Sequence, residues 1–179
     1  MTKNERAMRV AIAVAIATSQ MACSGDEPED DPLDPALLAE IAQQGGSASG
    51  SDYAGSWSFG FSQRDCDCPT LEFGGEPLEL CGLVGGTLAV DASQSDGYFA
   101  VTFPDQNVLT GPIDADGHFI LVGNRDLATA AGPLQQISRI DGDFADASTG
   151  MGDAAQRLVG SLADQQIDCR WSGALTAMR

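Results

Sequence analysis

Residues 86–123, GTLAVDASQSDGYFAVTFPDQNVLTGPIDADGHFILVG, decide the fold. Asp96-Gly97 and Asp116-Gly117 are strong two-residue hairpin signals, and Asp105-Gln106 is a plausible short turn. Between these turns apolar and small or polar residues alternate with a period of two, as they do in half-buried strands. The segment therefore predicts four consecutive antiparallel strands, at 86–93, 97–103, 107–114 and 117–123.

The same alternation continues on both sides of this segment. It predicts further strands at 54–62, 135–145, 156–164 and 167–178, which makes eight. Eight antiparallel strands joined by sequential hairpins favour a single up-and-down barrel, and a two-sheet β-sandwich is the alternative. The interior of such a barrel is filled by side chains or holds one small ligand. Candidates for the barrel interior or a ligand pocket are the large residues on the predicted inner faces, Trp57, Phe59, Phe61, Phe99, Val101, Phe103 and Trp171.

Gly55-Ser56-Trp57 opens the first predicted strand. It resembles the Gly-x-Trp that begins the first strand of lipocalins and of avidin-like barrels. The resemblance implies a calycin-like barrel in which Trp57 packs across the closed end and a late cation, Arg170 or Arg179, covers it. The chain has no second lipocalin motif and no avidin-like run of tryptophans, so neither a retinoid nor a biotin ligand is implied.

The N-terminus carries the pattern of an export signal. Cations precede an uncharged, mostly apolar run, Val10 to Thr18, which is too short to span a bilayer. Ala22-Cys23 resembles the lipobox of bacterial lipoproteins, although Gln20 stands where leucine is usual. This resemblance implies a signal peptide over 1–22, lipidation of Cys23, and a protein anchored in the bacterial cell envelope, at the outer membrane or cell surface. The alternative is an ordinary signal peptide that leaves Cys23 as a thiol.

Residues 23–52 are predicted to be a tether. Asp26 to Asp34 is acidic and contains proline, which disfavours folding. Residues 35–44 form a possible short helix with Asp34 as N-cap and Pro35 in its first turn. Gly45 to Ser51 (GGSASGS) predicts a flexible linker, so the barrel domain is expected at 53–179.

Four cysteines follow the anchor: Cys66, Cys68, Cys81 and Cys169. An even number in an exported chain predicts two disulfides. A Cys66–Cys68 bond would be strained, which leaves two pairing schemes. We favour Cys66–Cys169 with Cys68–Cys81 over the swapped pairs, because the first and last strands of a barrel are neighbours. A four-cysteine zinc site is the competing interpretation, but the spacing does not match the usual Cys-x₂₋₄-Cys pairs.

The charge balance limits the function. The chain has 26 acidic and 9 basic residues, a net charge of −17. Such a field repels phosphate, so no nucleic-acid partner is expected. The scarce arginines are expected to pair with carboxylates, whereas one that points into a barrel mouth would indicate an anionic ligand.

No catalytic constellation is evident. His118 is the one histidine and lacks a partnered nucleophile. Asp114 to Gly117 resembles the start of a calcium loop but lacks the remaining ligands. We therefore expect no enzyme, no catalytic residues, no cofactor and no metal.

Three functions fit the sequence. The first is a non-catalytic barrel that binds a small apolar ligand. The second is a module that binds another envelope protein; bacterial metalloprotease inhibitors are similar small eight-stranded barrels with an N-terminal segment before the fold. The third is a structural envelope lipoprotein without a pocket.

Overall fold

The computed structural model describes residues 31–83, 85–129, 131–162 and 164–179. The predicted signal peptide 1–22 and the lipidation site Cys23 lie outside the described residues. Within these residues, one α-helix, one short 3-10 helix at Leu80–Leu83 and ten strands follow in chain order. They are α1 (Pro35–Ile41), β1 (Gly55–Cys66), β2 (Thr70–Phe73), β3 (Glu76–Glu79), β4 (Gly86–Ser95), β5 (Tyr98–Thr102), β6 (Val108–Pro112), β7 (His118–Thr129), β8 (Gly132–Phe144), β9 (Thr149–Leu162) and β10 (Gln165–Met178).

Eight of the strands close into an antiparallel up-and-down barrel. The order around it is β1-β10-β9-β8-β7-β6-β5-β4, and β1 pairs with β4 to complete the circle. All neighbours except β1–β10 are consecutive along these eight strands, as sequential hairpins predict. The fold class is thereby confirmed, and the sandwich alternative is wrong.

The barrel wall is much taller on one side than on the other. Strands β7, β8, β9 and β10 have 12 to 14 residues, whereas β5 and β6 have five each. The predicted strand at 156–164 therefore begins too late, since β9 starts at Thr149. The difference in height leaves one end of the barrel open beside the turn between β5 and β6. We call this end the mouth.

The other end, which we call the closed end, is filled by aromatic side chains. The ring centroids of Trp57 and Phe144 are 4.7 Å apart, and those of Phe119 and Phe144 are also 4.7 Å apart. Phe99 meets Phe119 edge to face at 5.7 Å, and Tyr53 stacks on Phe144 at 4.6 Å. These contacts fill this part of the interior with protein.

The segment from Leu33 to Ile41 packs on the outer surface of the barrel. Helix α1 begins where predicted, because the Asp34 carboxylate accepts hydrogen bonds from the backbone of Ala36 and Leu37. It ends at Ile41 rather than at residue 44. Leu38 and Ile41 are buried, with Leu33, against Val122 and Ile137 on the outer faces of β7 and β8.

The sequence predicts a flexible linker from Gly45 to Ser51. In the structure, residues 45–52 instead cross the closed end of the barrel. We call residues 45–53 the strap. The backbone N–H of Gly46 donates to Gly97 at 2.9 Å, and that of Ala48 donates to Ile113 at 3.1 Å. Ala48 joins the main core, so residues before Tyr53 are part of the packed region. The sequence prediction is wrong here because hydrogen bonds to the barrel order glycines and serines that have no apolar pattern of their own.

The sequence predicts no strand between residues 62 and 86, but the structure has a small hairpin there, β2–β3. Its Leu71, together with Leu80 of the following 3-10 helix, packs on the tall wall of the barrel. The partners are Leu134 of β8, Leu162 of β9 and Ile167 of β10. This second core covers the part of the wall that rises above the mouth.

Two disulfides are present, but the favoured pairing is wrong. Cys66 pairs with Cys81, and Cys68 pairs with Cys169. The reason is a one-residue register shift in β1 between Gln63 and Asp65, after which Cys66 lies opposite Trp171. Cys68 is then level with Cys169, and their Cα atoms are 4.7 Å apart.

Candidate functional site

The candidate site is a cavity of about 360 Å³ at the mouth. We call it the mouth cavity. Its size lies at the lower end of the range usual for small-molecule sites. The wall is formed by β1, β4, β6, β8, β9 and β10 and by the turn after β5, with the lining residues Phe61, Gly85, Leu88, Phe103, Pro104, Asp105, Asn107, Leu109, Gln136, Ser138, Arg139, Ile140, Ala154, Ala155, Gln156 and Trp171.

Large apolar side chains form one part of the cavity. Phe61 is the centre of this group, since its ring lies 6.4 Å from Phe103 and 6.2 Å from Trp171 between centroids. Leu88 follows the inward-facing pattern of β4, because it lies opposite Phe59 in the register and two residues before the buried Val90. It is nevertheless 41% exposed. An inward-facing leucine that stays exposed indicates that the protein does not fill its own mouth.

A polar row crosses the cavity on three adjacent strands. Ser138 of β8 lies opposite Gln156 of β9, which lies opposite Trp171 of β10. Residues directly opposite on antiparallel strands have side chains on the same face, so the three lie side by side. The Gln156 amide donates to the Ser138 hydroxyl at 3.2 Å. Trp171 is buried, and its indole N–H has no hydrogen-bond partner.

The one arginine that follows the inward pattern near the mouth, among the described residues, is paired. Arg125 of β7 donates to the side-chain oxygen of Gln136 at 2.8 Å and to the Asp105 carboxylate at 2.6 Å. Burial raises the pKa of Asp105, but the hydrogen bonds from Arg125 and from the backbone of Asn107 lower that pKa below its usual range. The ion pair therefore leaves no uncompensated cation to attract an anionic ligand.

The seven predicted interior residues divide between the two ends of the barrel. Phe61, Phe103 and Trp171 line the mouth cavity. The other four are buried in the main core and fill the interior below it: Trp57, Phe59, Phe99 and Val101. The sequence analysis gives Arg170 and Arg179 as candidates for the cation that covers Trp57. In the structure it is Arg179, whose guanidinium carbon lies 5.6 Å from the centroid of the Trp57 ring.

Sequence reasoning missed the polar part of the site. Gln136 and Ser138 have the same parity along β8 as the buried Ile140, and Gln156 has the same parity along β9 as Ala154. A polar residue at an inward position of an otherwise apolar face was the available signal. For Gln156 this signal is incomplete in the sequence, because the strand predicted at 156–164 leaves out Ala154.

The other singled-out polar residues lie on the outer surface. His118 is 3.1 Å from Asp143 and 3.8 Å from Asp141, both on β8. Asp114, in the turn that resembles a calcium loop, instead accepts hydrogen bonds from the backbone and hydroxyl of Ser47 at 2.7 and 2.8 Å. These bonds lower the pKa of Asp114, and the hydrogen bond from the Ser47 backbone has the largest effect. They also hold the strap against the barrel.

The zinc alternative for the cysteines does not hold. Within the described residues, each group of three or more potential metal ligands contains disulfide-bonded cysteines. Metal binding requires thiolates, and a sulfur in a disulfide cannot supply one.

No protein-family model and no curated protein matches the chain. In the part of the chain that the structure describes, no helix has the length and apolar composition needed to cross a bilayer.

Proposed function

We propose that the protein is a lipid-anchored component of the bacterial cell envelope whose barrel binds a small, mainly apolar ligand in the mouth cavity. The observation that carries the ligand-binding part is the open cavity itself. Phe61, Leu88 and Phe103 present apolar surface to a space that the chain leaves empty. Binding sites of this kind are concave, mostly apolar and formed before the ligand arrives.

The anchor is supported by the cysteine count. The chain has five cysteines, and four of them pair with one another in the barrel domain. Cys23 is the cysteine that remains, and it follows Ala22 shortly after the apolar run. Mass spectrometry of the mature N-terminus should find a diacylglyceryl group on Cys23. An unmodified Cys23, or a mature N-terminus elsewhere, would refute this part of the proposal.

The anchor would hold the mouth close to the membrane. Asp31 binds Arg170, which is next to Trp171 on β10, at 2.5 Å. At about 3.5 Å for each residue step, the segment from Cys23 to Asp31 spans at most about 28 Å. A ligand taken from the membrane surface would therefore have a short path to the cavity.

The test of ligand binding blocks the mouth with a larger side chain. N-Phenyl-1-naphthylamine, an uncharged apolar dye, is titrated into the purified full-length chain, and its fluorescence is followed. We expect Leu88→Trp to weaken dye binding at least about tenfold, because the larger side chain occupies the mouth.

The matched control is Met151→Trp. Met151 is also an exposed apolar residue, 66% accessible, but it lies opposite Asp143 toward the closed end and does not line the cavity. Dye binding should be unchanged in this variant. Equal affinity of L88W and the unsubstituted chain would show that the mouth is not the binding site.

A further inference from the structure

The arginine side chains of the described residues are all engaged, which leaves no free cation at the mouth. There are six of them, and Arg179 covers Trp57 at the closed end. The other five lie within ion-pair distance of an aspartate, in the pairs Arg64–Asp153, Arg125–Asp105, Arg139–Asp141, Arg157–Asp168 and Arg170–Asp31. This part of the chain contains no lysine. An anion that entered the mouth cavity would therefore meet no unpaired arginine or lysine of the described residues.

Carboxylates, in contrast, are in excess on the chain segments around the mouth. Exposed acidic side chains lie at the end of β1 and just beyond it, on the β2–β3 hairpin, on β7 and in the turn between β9 and β10. Seven of them have no ion pair with an arginine of the described residues: Asp65, Asp67, Glu72, Glu76, Glu79, Asp126 and Asp164. A cleft edged by one sign of charge attracts ions of the opposite sign, over about 10 Å at 0.1 M salt and further at lower salt. The field at the mouth thus favours a cation over an anion of the same shape.

The lining of the mouth cavity suits the same kind of ligand. Phe61 and Phe103 line the cavity and are only partly buried. The faces of aromatic rings attract organic cations, because the ring quadrupole places negative charge there. Asp105 also lines the cavity, and its bond to Arg125 at 2.6 Å neutralises that arginine. An organic cation at the mouth would therefore meet aromatic rings and a negative field, while Leu88 offers apolar surface to the rest of the ligand.

We infer that the ligand of the mouth cavity is an organic cation, an ammonium group on an apolar body. The inference rests on the proposed ligand-binding function and specifies its ligand. The apolar body packs inside the cavity, and the ammonium group lies at its rim. At the rim the charged group keeps part of its hydration, so that binding avoids the large free-energy cost of burying an unpaired charge. The net charge of the chain, −17, adds to the attraction at long range.

The test compares three ligands of nearly the same shape. They are (4-butylbenzyl)trimethylammonium, which is a cation, 1-butyl-4-neopentylbenzene, which has carbon in place of the nitrogen, and (4-butylphenyl)methanesulfonate, which is an anion. Affinities are measured on the full-length chain by displacement of N-phenyl-1-naphthylamine in about 0.01 M salt. We expect the cation to bind at least about tenfold more tightly than the sulfonate. It should also bind more tightly than the hydrocarbon, although the hydrocarbon is the more hydrophobic compound.

The salt dependence gives a second readout. In about 0.5 M salt the field around the mouth is screened within a few ångströms, so the difference between the cation and the sulfonate should narrow. The affinity of the uncharged hydrocarbon should change much less. A preference for the cation that did not depend on salt would contradict an attraction by the carboxylates around the mouth.

Two variants with the same change in net charge locate the preference. Asp105→Asn removes the carboxylate that neutralises Arg125 and leaves a free cation at the mouth, so the preference for the cation over the sulfonate should fall about tenfold. Asp116→Asn is the matched control. Asp116 lies at the closed end beside Gly117, which adjoins Phe144, and Asn-Gly also suits a hairpin turn. This variant should keep the preference. The comparison of ligands on the unsubstituted chain needs no variant, so it stands even if Asp105→Asn folds poorly.

The outcomes separate this inference from the proposed function. If the dye does not bind and none of the three compounds binds, the proposed function fails. If the compounds bind but the hydrocarbon is at least as tight as the cation, the cavity binds apolar ligands and the inferred charge is wrong. If the sulfonate is tightest, an arginine is available to the ligand and the argument from paired arginines is overturned. If the two variants reduce the preference equally, the attraction belongs to the whole surface and not to the mouth.

Discussion

At the scale of single residues, some glycines allow backbone segments to pack closely against each other. Gly97 is an example. Its carbonyl oxygen accepts hydrogen bonds from the N–H groups of both Gly46 and Ile113, at 2.9 Å each. A Cβ atom at Gly97 would collide with the backbone of Gly46 in the strap. The left-handed backbone conformation of this turn belongs to Asp96, whose φ is 51°, so Gly97 is required for close approach.

Gly97→Ala should therefore destabilise the protein by about 1–3 kcal/mol, because the added methyl group forces the strap away from the barrel. The free energy of unfolding is measured from urea denaturation at neutral pH. Gly82→Ala is the matched control, since a Cβ atom there has nothing within 4 Å. It should change the stability by less than about 0.5 kcal/mol. Equal effects of the two substitutions would show that the strap does not pack on Gly97.

Asp96-Gly97 also shows how far single residues could be predicted. The dipeptide correctly predicts a hairpin between β4 and β5, because turn chemistry depends on neighbours in the sequence. That Gly97 faces the strap could not be predicted, because the contact joins residues about 50 positions apart. The unpaired N–H of Trp171 could not be predicted for the same reason, because its surroundings come from distant parts of the sequence.

At the scale of elements, strands with regular alternation were predicted and strands built from small residues were not. The final strand β10, predicted at 167–178, has Ile167, Cys169, Trp171 and Leu175 on its buried face. The first half of β9, in contrast, reads TGMGDAA from residue 149, which has no large apolar residue at an inward position. Small residues suit that position because a Cβ atom at Gly150 would crowd the ring of Phe144. The aromatic cluster of the closed end thus accounts for the glycine at position 150.

Helix α1 provides a prediction at this scale, because its seven residues are too few for a stable isolated helix. Its stability must come from packing on the barrel. Leu38 is 2% exposed and packs with Val122 and Ile137. Leu38→Ala should lower the free energy of unfolding by about 2–3 kcal/mol, since it leaves a cavity between the helix and the barrel. Urea denaturation measures the change.

Leu37→Ala is the comparison for this experiment. Leu37 precedes Leu38 in the same helix and is only partly buried, so its truncation should cost less than about 1 kcal/mol. A negligible effect of Leu38→Ala would indicate that residues 35–41 behave as the tether that the sequence analysis predicts. A similar loss in both variants would point to helix propensity and not to docking.

At the scale of the whole molecule, the class of fold was within reach of the sequence and the site was not. Consecutive hairpins specify most strand neighbours, and closure requires only that β1 meets both β4 and β10. The mouth cavity depends on the heights of opposite walls and on a second core formed by the β2–β3 hairpin. Both features depend on many contacts between residues that are far apart in the sequence, so no local sequence pattern predicts them.

The acidic charge also acts on the whole molecule. Five aspartates have pKa values below the usual value of 3.8: Asp31, Asp105, Asp114, Asp146 and Asp168. The bonds to Asp114, Asp146 and Asp168 come chiefly from the Ser47 backbone, the Ser148 hydroxyl and the Arg157 guanidinium, respectively. At Asp31 and Asp105, hydrogen bonds and arginines outweigh the effect of burial, which raises the pKa. Each of these carboxyl groups therefore favours its charged form more strongly in the folded protein than in the unfolded chain.

This pattern predicts the direction of acid unfolding. A carboxyl group whose folded pKa is depressed stabilises the protein fully above its unfolded pKa, and that contribution is lost as the pH falls through the folded pKa. Stability should thus decrease below about pH 4, with about 0.1 M salt present to screen the repulsion among the excess acidic groups. Urea midpoints measured between neutral and acid pH test this.

Asp114→Asn keeps a side-chain oxygen that can accept from Ser47 but does not titrate. The stability of this variant should therefore fall less steeply over the acid range. If the variant and the unsubstituted chain lose stability in parallel, the bond between the strap and Asp114 does not contribute to the acid response, and the loss comes from other carboxyl groups.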